Sequence, residues 1–189
     1  FKVVYRRHTN FSMESIQQTL NGTVGYGNKV TATVSRNGDL VSRMYLELDI
    51  TGIQTTDDIS ANIGSALIKE VELEIGGQRI DKHYGHWLEV WAQLTENNPT
   101  GHVGQHAAAG TLTNGTNFQN MSGMGGVEGQ NMTGNPRTLR VPLQFWFCRN
   151  PGLALPLIAL QYHEVKVAVS FQSEVRCVSS AADTAAGTT

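Results

Sequence analysis

Four histidines form two pairs whose spacing could place two imidazole rings on one metal ion. His83 and His86 lie three residues apart, and His102 and His106 lie four apart. A zinc site needs three or four converging ligands. The second pair has no nearby carboxylate or cysteine, and the first lacks the His-x-His pattern of metal-binding jelly-roll enzymes. We therefore predict no metal site and no cofactor.

Three glutamates, Glu70, Glu72 and Glu74, alternate along one segment and would project from one face of a strand. Successive side chains on a strand face are about 7 Å apart, which overlaps the separation of paired carboxylates in glycosidases. A solvated or inter-subunit strand face explains the same pattern. The chain contains no Gly-x-Ser-x-Gly elbow, phosphate-binding loop or dinucleotide fingerprint. We therefore predict that the protein is not an enzyme.

Asparagine sequons are the remaining sites at which chemistry could occur. Five Asn-x-Ser/Thr triplets begin at Asn10, Asn21, Asn114, Asn120 and Asn131. The last three fall in a segment that would tolerate a glycan, so they are the glycosylation candidates. Against this, the two cysteines, Cys148 and Cys177, are too few for a disulfide framework and favour a reducing, cytosolic compartment.

The bulk properties indicate one domain of ordinary size. The chain has 189 residues and a net charge of -2, which argues against a nucleic-acid-binding face. We assign residues 1–178 to the domain and residues 179–189 to a low-complexity linker or tail. The chain opens on FKVVY, which is typical of the interior of a longer protein, so we expect it to be a piece of one.

Apolar residues recur at every second position in five segments, which predicts strands with one buried face. These sets begin at Val30, Met44, Val71, Leu139 and Val165. Half-buried strands of this kind belong to antiparallel sheets. One amphipathic helix is predicted over about 85–96, with Trp87, Leu88, Trp91 and Leu94 on its buried stripe. A long exposed loop, rich in Gly, Asn and Thr, is predicted over 99–136.

Two turns fix the expected strand pairing. Around Asn37-Gly38, a three-residue loop with Gly38 in the left-handed region would pair the flanking strands; otherwise those strands belong to facing sheets. At Gly76-Gly77, a two-residue loop would place Leu73 opposite Ile80.

The densest apolar stretch runs from residue 145 to residue 167 and contains two prolines. We predict a strand over Leu139–Phe147, a turn at Asn150-Pro151-Gly152, and a crossover that includes Pro156 and donates no ladder hydrogen bonds. A second strand would run from His163 to Phe171. Together these elements predict an all-β fold, an antiparallel eight-stranded jelly-roll sandwich with one short helix and a long inserted loop.

Three long blocks of the sequence resemble one protein family. They read FKVVYRRHTNFSMESIQQTLNG, SRNGDL and WFCRNPGLALPLIALQYHEVKV. They look like the major capsid protein of large icosahedral DNA viruses, the lineage of the iridoviruses, phycodnaviruses and giant viruses. The resemblance covers most of residues 1–171 and is weakest in the loop over 99–136. Asn150, Pro151, Gly152 and Pro156 form the family-signature turn and crossover.

The resemblance implies a structural virion protein, made and assembled in the host cytoplasm, whose work is self-association. Family members have two consecutive jelly rolls and form trimers of pseudo-hexagonal outline that tile an icosahedral shell. This chain would be the first jelly roll, with the second absent. Its expected partners are copies of itself, with minor capsid proteins as further candidates and no direct nucleic-acid contact; membrane contact stays open.

Two alternatives belong to other functional classes. A carbohydrate-binding β-sandwich would need a shallow aromatic platform, whereas the tryptophans are assigned to the helix core and to the strand at Trp146. A cupin-like metalloenzyme would need histidine and carboxylate ligands clustered inside the barrel. Fold alone does not separate these functions from a capsid role, because one fold hosts many functions.

Overall fold

The strands account for most of the regular structure. The computed structural model describes residues 2–6, 8–50, 58–59, 62–95, 102–103, 115–116, 137–174 and 177–179. Its strands are β1 Leu20–Asn21, β2 Lys29–Thr33, β3 Leu40–Val41, β4 Tyr45–Ile50, β5 Asp58–Ile59, β6 Ile68–Ile75, β7 Gln78–Tyr84, β8 His102–Val103, β9 Gly115–Thr116, β10 Arg137–Pro142, β11 Leu155–Pro156, β12 Val165–Phe171 and β13 Val178–Ser179. Its helices are α1 Ile63–Leu67, α2 Gly85–Thr95 and α3 Trp146–Arg149, with a 3-10 turn at Pro151–Leu153.

The larger sheet has five strands in the order β1-β2-β12-β6-β7, and every neighbouring pair is antiparallel. Its longest strand, β6, has the sequence IKEVELEI, in which apolar and acidic residues alternate. Val71 and Leu73 are fully buried on one face. The alternation therefore commits one face of this sheet to the core, as period-two patterning requires.

Shorter strand pairs supply the opposing layer. β4 pairs with β10 over six residues, and β3 pairs with β11. Leu46 from β4, Val141 from β10 and Leu155 from β11 join one hydrophobic cluster with the apolar face of the larger sheet. The predicted fold class, an all-β antiparallel jelly-roll sandwich, is confirmed.

The two predicted turns behave differently. β2 pairs with β1 and β12, whereas β3 pairs with β11, so the strands around Asn37-Gly38 belong to different sheets. Of the two predicted outcomes, the three-residue hairpin was wrong and the placement in different sheets is confirmed. Gly38 is not among the residues with positive φ. Gly76 and Gly77 do form a two-residue loop, with φ of 61° and 81°. A bulge next to Leu73, however, places that residue opposite Asp81 and not Ile80.

The strand predicted over Leu139–Phe147 was wrong in its second half. β10 ends at Pro142, and the next residue, Leu143, still donates its N–H to the Met44 carbonyl oxygen at 3.0 Å. The chain then turns into α3, a helix that the sequence did not predict. Phe145 and Phe147 are nevertheless fully buried. The alternation of apolar residues therefore predicted correctly that both side chains are buried, but it predicted a strand where the chain forms a helix.

Helix α2 follows the predicted helix over 85–96 closely, but its buried stripe differs. Leu88 and Ala92 are buried, while Leu94 is largely exposed, so assigning Leu94 to the core was wrong. Helix α1 was also not predicted. No helix within the described ranges is long and apolar enough to cross a membrane.

Much of the predicted loop over 99–136 lies outside the described residues. Within it, β8 and β9 pair with each other in antiparallel register. At the other end of the chain, β13 pairs with β5 and extends through Ser179, one residue into the predicted tail. The domain limit at 178 remains a prediction.

Helix α2 begins where it touches α1, and Gly85 makes this contact possible. A Cβ at Gly85 would lie 2.2 Å from the Ser65 carbonyl oxygen and 2.3 Å from that of Ile68. Both atoms are backbone, so neither can swing away. The close approach of α1, β6 and α2 therefore requires glycine at this position.

We expect Gly85→Ala to lower the free energy of unfolding by about 3 kcal/mol, because the added methyl overpacks a buried junction. The gain of about 1 kcal/mol from alanine's helix propensity works in the opposite direction and is the smaller effect. Urea denaturation measures the difference. Gly38→Ala is the control, since its Cβ would meet nothing within 4 Å. Equal stability of the two variants would contradict the close contact.

Candidate functional site on the outer face of the larger sheet

The face of the larger sheet that points away from the core carries a charged cluster. Strand register aligns one row across it: Thr31 of β2, Ala168 of β12, Glu72 of β6 and Lys82 of β7. We call this surface the outer face. Its central position is a small residue, Ala168, which is 1% exposed because longer neighbours cover it.

Glu72 is the centre of the cluster. Its carboxylate accepts hydrogen bonds from Lys29 Nζ at 2.6 Å and from Arg79 Nη1 at 3.1 Å. Lys82 Nζ is a third cation, 3.7 Å from Oε1. Since β12 lies between β2 and β6, the Lys29–Glu72 ion pair spans an intervening strand. A long side chain at Ala168 would block this bridge.

Glu70 extends the cluster along β6. Its Oε2 lies 2.6 Å from Lys82 Nζ, and its Oε1 lies 3.5 Å from Ser170 Oγ. The hydrogen bond from Lys82 lowers the pKa of Glu70, and the hydrogen bond from Lys29 lowers the pKa of Glu72 against the opposing effect of burial. Both carboxylates are therefore held in the charged form.

This geometry assigns the glutamate row a structural role. Glu72 is only 6% exposed, so interpreting it as part of a solvated face was wrong. A glycosidase needs one of its two carboxyl groups protonated, which requires a raised pKa. Here the pKa values of Glu70 and Glu72 are both lowered. The cluster can therefore bind strands together, but it lacks the acid that glycoside hydrolysis requires.

The β-bulge in the hairpin determines which cations reach the cluster. Without the bulge, Asp81 would lie opposite Glu72; with it, Lys82 does. Sequence alternation alone would not reveal this shift, because the extra residue is visible only in the pairing. The basic residues Lys29, Arg79 and Lys82 are the functional partners that the sequence analysis missed.

The first histidine pair does not form a site. His83 points into the core, where it is 6% exposed and its ring packs edge-on against Phe145 at 4.7 Å between centroids. Neither ring nitrogen of His83 has a hydrogen-bond partner among the described residues. Burial lowers its pKa to about 4, with Asp81 opposing and Arg149 reinforcing the shift. His86 is exposed, and no group of three or more metal-ligating side chains occurs among the described residues.

Several candidates lie outside the described side chains. His106 and the sequons at Asn114, Asn120 and Asn131 are not among the described residues, and of His102 only the backbone of β8 is described. The other two sequon residues, Asn10 and Asn21, are exposed. Glycosylation at the three loop asparagines therefore remains a prediction.

The signature turn has a defined local structure. Asn150 Oδ1 accepts a hydrogen bond from Gly152 N at 2.9 Å, and Pro151 starts the 3-10 turn. The crossover differs from the prediction in one respect. Pro156 lies in β11 opposite Leu40, and the following residue, Leu157, donates its N–H to Asp39 O. Proline fits there because the pairing is two residues long and Pro156 itself is exposed.

The tryptophans of α2 are half-buried and lie beneath a cation. The ring centroids of Trp87 and Trp91 are 5.8 Å apart, and the Arg149 guanidinium lies 4.6 Å from the Trp91 centroid. Trp146, which we assigned to a strand, lies in α3. Because Arg149 covers a face of the aromatic pair, the pair does not form the open platform that stacking on a sugar requires.

We expect the stability of the protein to fall as the pH drops from 6.5 towards 4, because the unfolded chain then binds a proton on His83 that the folded chain excludes. The contribution from His83 amounts to about 2 kcal/mol between pH 7.5 and 5. His83→Phe should remove this contribution, since no described residue forms a hydrogen bond with the ring nitrogens of His83. Denaturation at both pH values measures the effect, with His86→Phe as the exposed control. An unchanged pH dependence in His83→Phe would disprove this assignment.

We expect Glu72→Gln to lower the free energy of unfolding at pH 7 by about 2 kcal/mol, because three cations lose their shared counter-charge. Since folding lowers the pKa of Glu72, this stabilisation is present above about pH 4.5 and is lost as the pH falls below it. Thermal and chemical denaturation test both statements.

The matched control is Glu74→Gln, two positions along the same strand. Glu74 forms no ion pair within the described part of the chain, so its substitution should change stability by less than about 0.5 kcal/mol. Equal losses for the two variants would show that the cluster around Glu72 contributes nothing specific.

Comparison with known proteins identifies relatives of the chain. A major capsid protein of Pyramimonas orientalis virus is 52% identical over 171 residues, covering 90% of this chain and 40% of that protein. A major capsid protein of Paramecium bursaria Chlorella virus 1 is 44% identical, covering 94% of this chain and 37% of that protein. The chain thus spans well under half the length of these relatives.

A solved structure agrees with these matches. A chain of the quasi-atomic structure of the PBCV-1 virus capsid superposes with a TM-score of 0.69 at 41% identity, covering 92% of this chain and 38% of that chain. The family described as "Major capsid protein N-terminus" matches residues 1–189. The resemblance seen in the three sequence blocks is therefore confirmed, and the chain belongs to the family of major capsid protein N-terminal domains.

Proposed function

We propose that this chain is the N-terminal jelly roll of a structural virion protein that assembles as trimeric, pseudo-hexagonal capsomers into an icosahedral shell. The single observation that carries this proposal is the family match over residues 1–189, together with relatives whose names are major capsid protein. The larger part of those relatives lies beyond the matched region. The trimer, the shell geometry and any contact with minor capsid proteins therefore belong to the proposal.

A structural role fits the physics of the sandwich. A shell subunit must keep its shape while many weak, symmetric contacts add up. The Lys29–Glu72 ion pair joins β2 to β6 across β12, and the ion pairs of Arg79 and Lys82 join β7 to β6, so the cluster links strands in the direction perpendicular to their length. The lowered pKa values of Glu70 and Glu72 suit such a permanent clamp and not an acid catalyst.

The same proposal includes three further expectations about the domain limits, the place of assembly and glycosylation. The domain covers residues 1–178, assembly takes place in the host cytoplasm, and Asn114, Asn120 and Asn131 are candidate glycan acceptors. The two reduced cysteines support a cytosolic site of synthesis, since neither Cys148 nor Cys177 forms a disulfide.

We expect the purified chain to self-associate reversibly as its concentration rises from micromolar to millimolar, with a trimer as the first oligomer. Biological interfaces of this kind bury more than about 1,000 Å² and follow closed symmetry. Sedimentation velocity gives the mass of each species, and a glycan array tests the carbohydrate-binding alternative on the same preparation. A chain that stays monomeric would refute the capsid proposal, and sugar binding by that monomer would favour the carbohydrate-binding alternative.

A further inference from the structure

The segment before β1 is exposed along its whole described length. Residues 2–6 and 8–17, which we call the N-terminal arm, form neither helix nor strand. No backbone–backbone hydrogen bond joins them to the rest of the described chain. The arm nevertheless carries five large apolar side chains that are 68% to 93% exposed, Val3, Val4, Tyr5, Phe11 and Met13. An isolated domain gains nothing from this arrangement.

An extended segment with unpaired backbone groups and apolar side chains has the properties of a strand that lacks a sheet. Its N–H and C=O groups can pair with the open edge of a sheet, and its alternating side chains can pack beside that edge. The arm leads into the larger sheet at its C-terminal end. Gln18 Oε1 accepts a hydrogen bond from Ser35 N at 2.7 Å, and β1 then pairs with β2.

On the far side of the larger sheet, no described strand pairs with the outer edge of β7, which is seven residues long. β7 is the last strand of this sheet, opposite to the edge at which the arm leaves. Ile80 and Tyr84 on β7 are each 50% exposed, so this edge also presents apolar surface. The arm, which could supply a strand, and the β7 edge, which could receive one, therefore lie at opposite edges of the same sheet.

The charges of the two elements are complementary. From residue 2 to residue 17 the sequence holds three basic residues, Lys2, Arg6 and Arg7, and one acidic residue, Glu14, so this segment is net basic. On β7, Asp81 forms no ion pair with any residue that the structure describes, and its Oδ1 accepts a hydrogen bond from Lys82 N at 2.8 Å. A basic strand beside β7 would give Asp81 the counter-charge that it lacks in the single chain.

We propose that the N-terminal arm of one copy adds as an extra strand to the β7 edge of a second copy. Because arm and acceptor edge lie on opposite sides of the sheet, the contact is heterologous: each copy gives an arm on one side and receives one on the other. Heterologous contacts close into rings when the rotation permits. The inference deepens the proposed self-assembly and rests on it by naming the surfaces that meet.

Disulfide trapping between two different copies tests the contact directly. A Val4→Cys chain is mixed with a tagged Ile80→Cys chain under mild oxidation, and the mixed dimer is quantified on a non-reducing gel. We expect several-fold more mixed dimer than with the control Val24→Cys, an exposed site outside the arm and β7. A yield equal to the control overturns the proposal. So does a Val4→Cys/Ile80→Cys double variant that cross-links only within one chain.

Deletion of residues 1–17 separates this inference from the proposed function. The variant should melt at the same temperature as the whole chain, because the arm makes no backbone pairing with the described residues. Its self-association should weaken about tenfold or more in sedimentation velocity. Unchanged association overturns the role of the arm and leaves the proposed function standing. Failure of the whole chain itself to associate overturns both.

Discussion

The position of β12 in the middle of the larger sheet is the constraint on which the rest of the structure depends. It is the strand that β2 and β6 both require as a partner. Its inward residues, Val165, Val167 and Val169, fill the core, while its outward residue Ala168 must stay small. In a strand that is buried on both faces, the backbone N–H and C=O groups can form hydrogen bonds only with a neighbouring strand on each side. β12 has both neighbours, since it pairs with β2 and with β6.

The ion bridge above Ala168 is a consequence of that position. Lys29 reaches Glu72 only because the strand between them offers no bulk. A carboxylate as buried as Glu72 would be costly if it were unpaired, and three surrounding cations remove that cost. The energetic gain per ion pair is modest, since Lys29 and Arg79 remain half in water. The larger effect is on register, because the charges meet only when β2, β6 and β7 are correctly aligned.

The inner face of the larger sheet packs against the core, and its outer face carries the ion cluster around Glu72. The edges of the sheet and the N-terminal arm are left for contacts with other molecules. This division suits a protein of a capsid family. The interior of the sandwich supplies rigidity, and association is left to elements that make few contacts within the chain. The N-terminal arm and the β7 edge have this property, as their exposed apolar residues show. The aromatic pair on α2 does not, because Arg149 already lies over it.

The sequence by itself determined the period-two strands, the antiparallel class, the helix after Gly85 and the family, since these follow from local alternation and from long ordered blocks. It also indicated that Phe145 and Phe147 are buried, although the element there is a helix. Tertiary structure alone decided that Asn37-Gly38 joins different sheets, that a bulge brings Lys82 to Glu72, and that His83 enters the core with no hydrogen-bond partner among the described residues. The physical reason is that a one-residue shift in pairing changes every contact of a strand while leaving its local pattern unchanged.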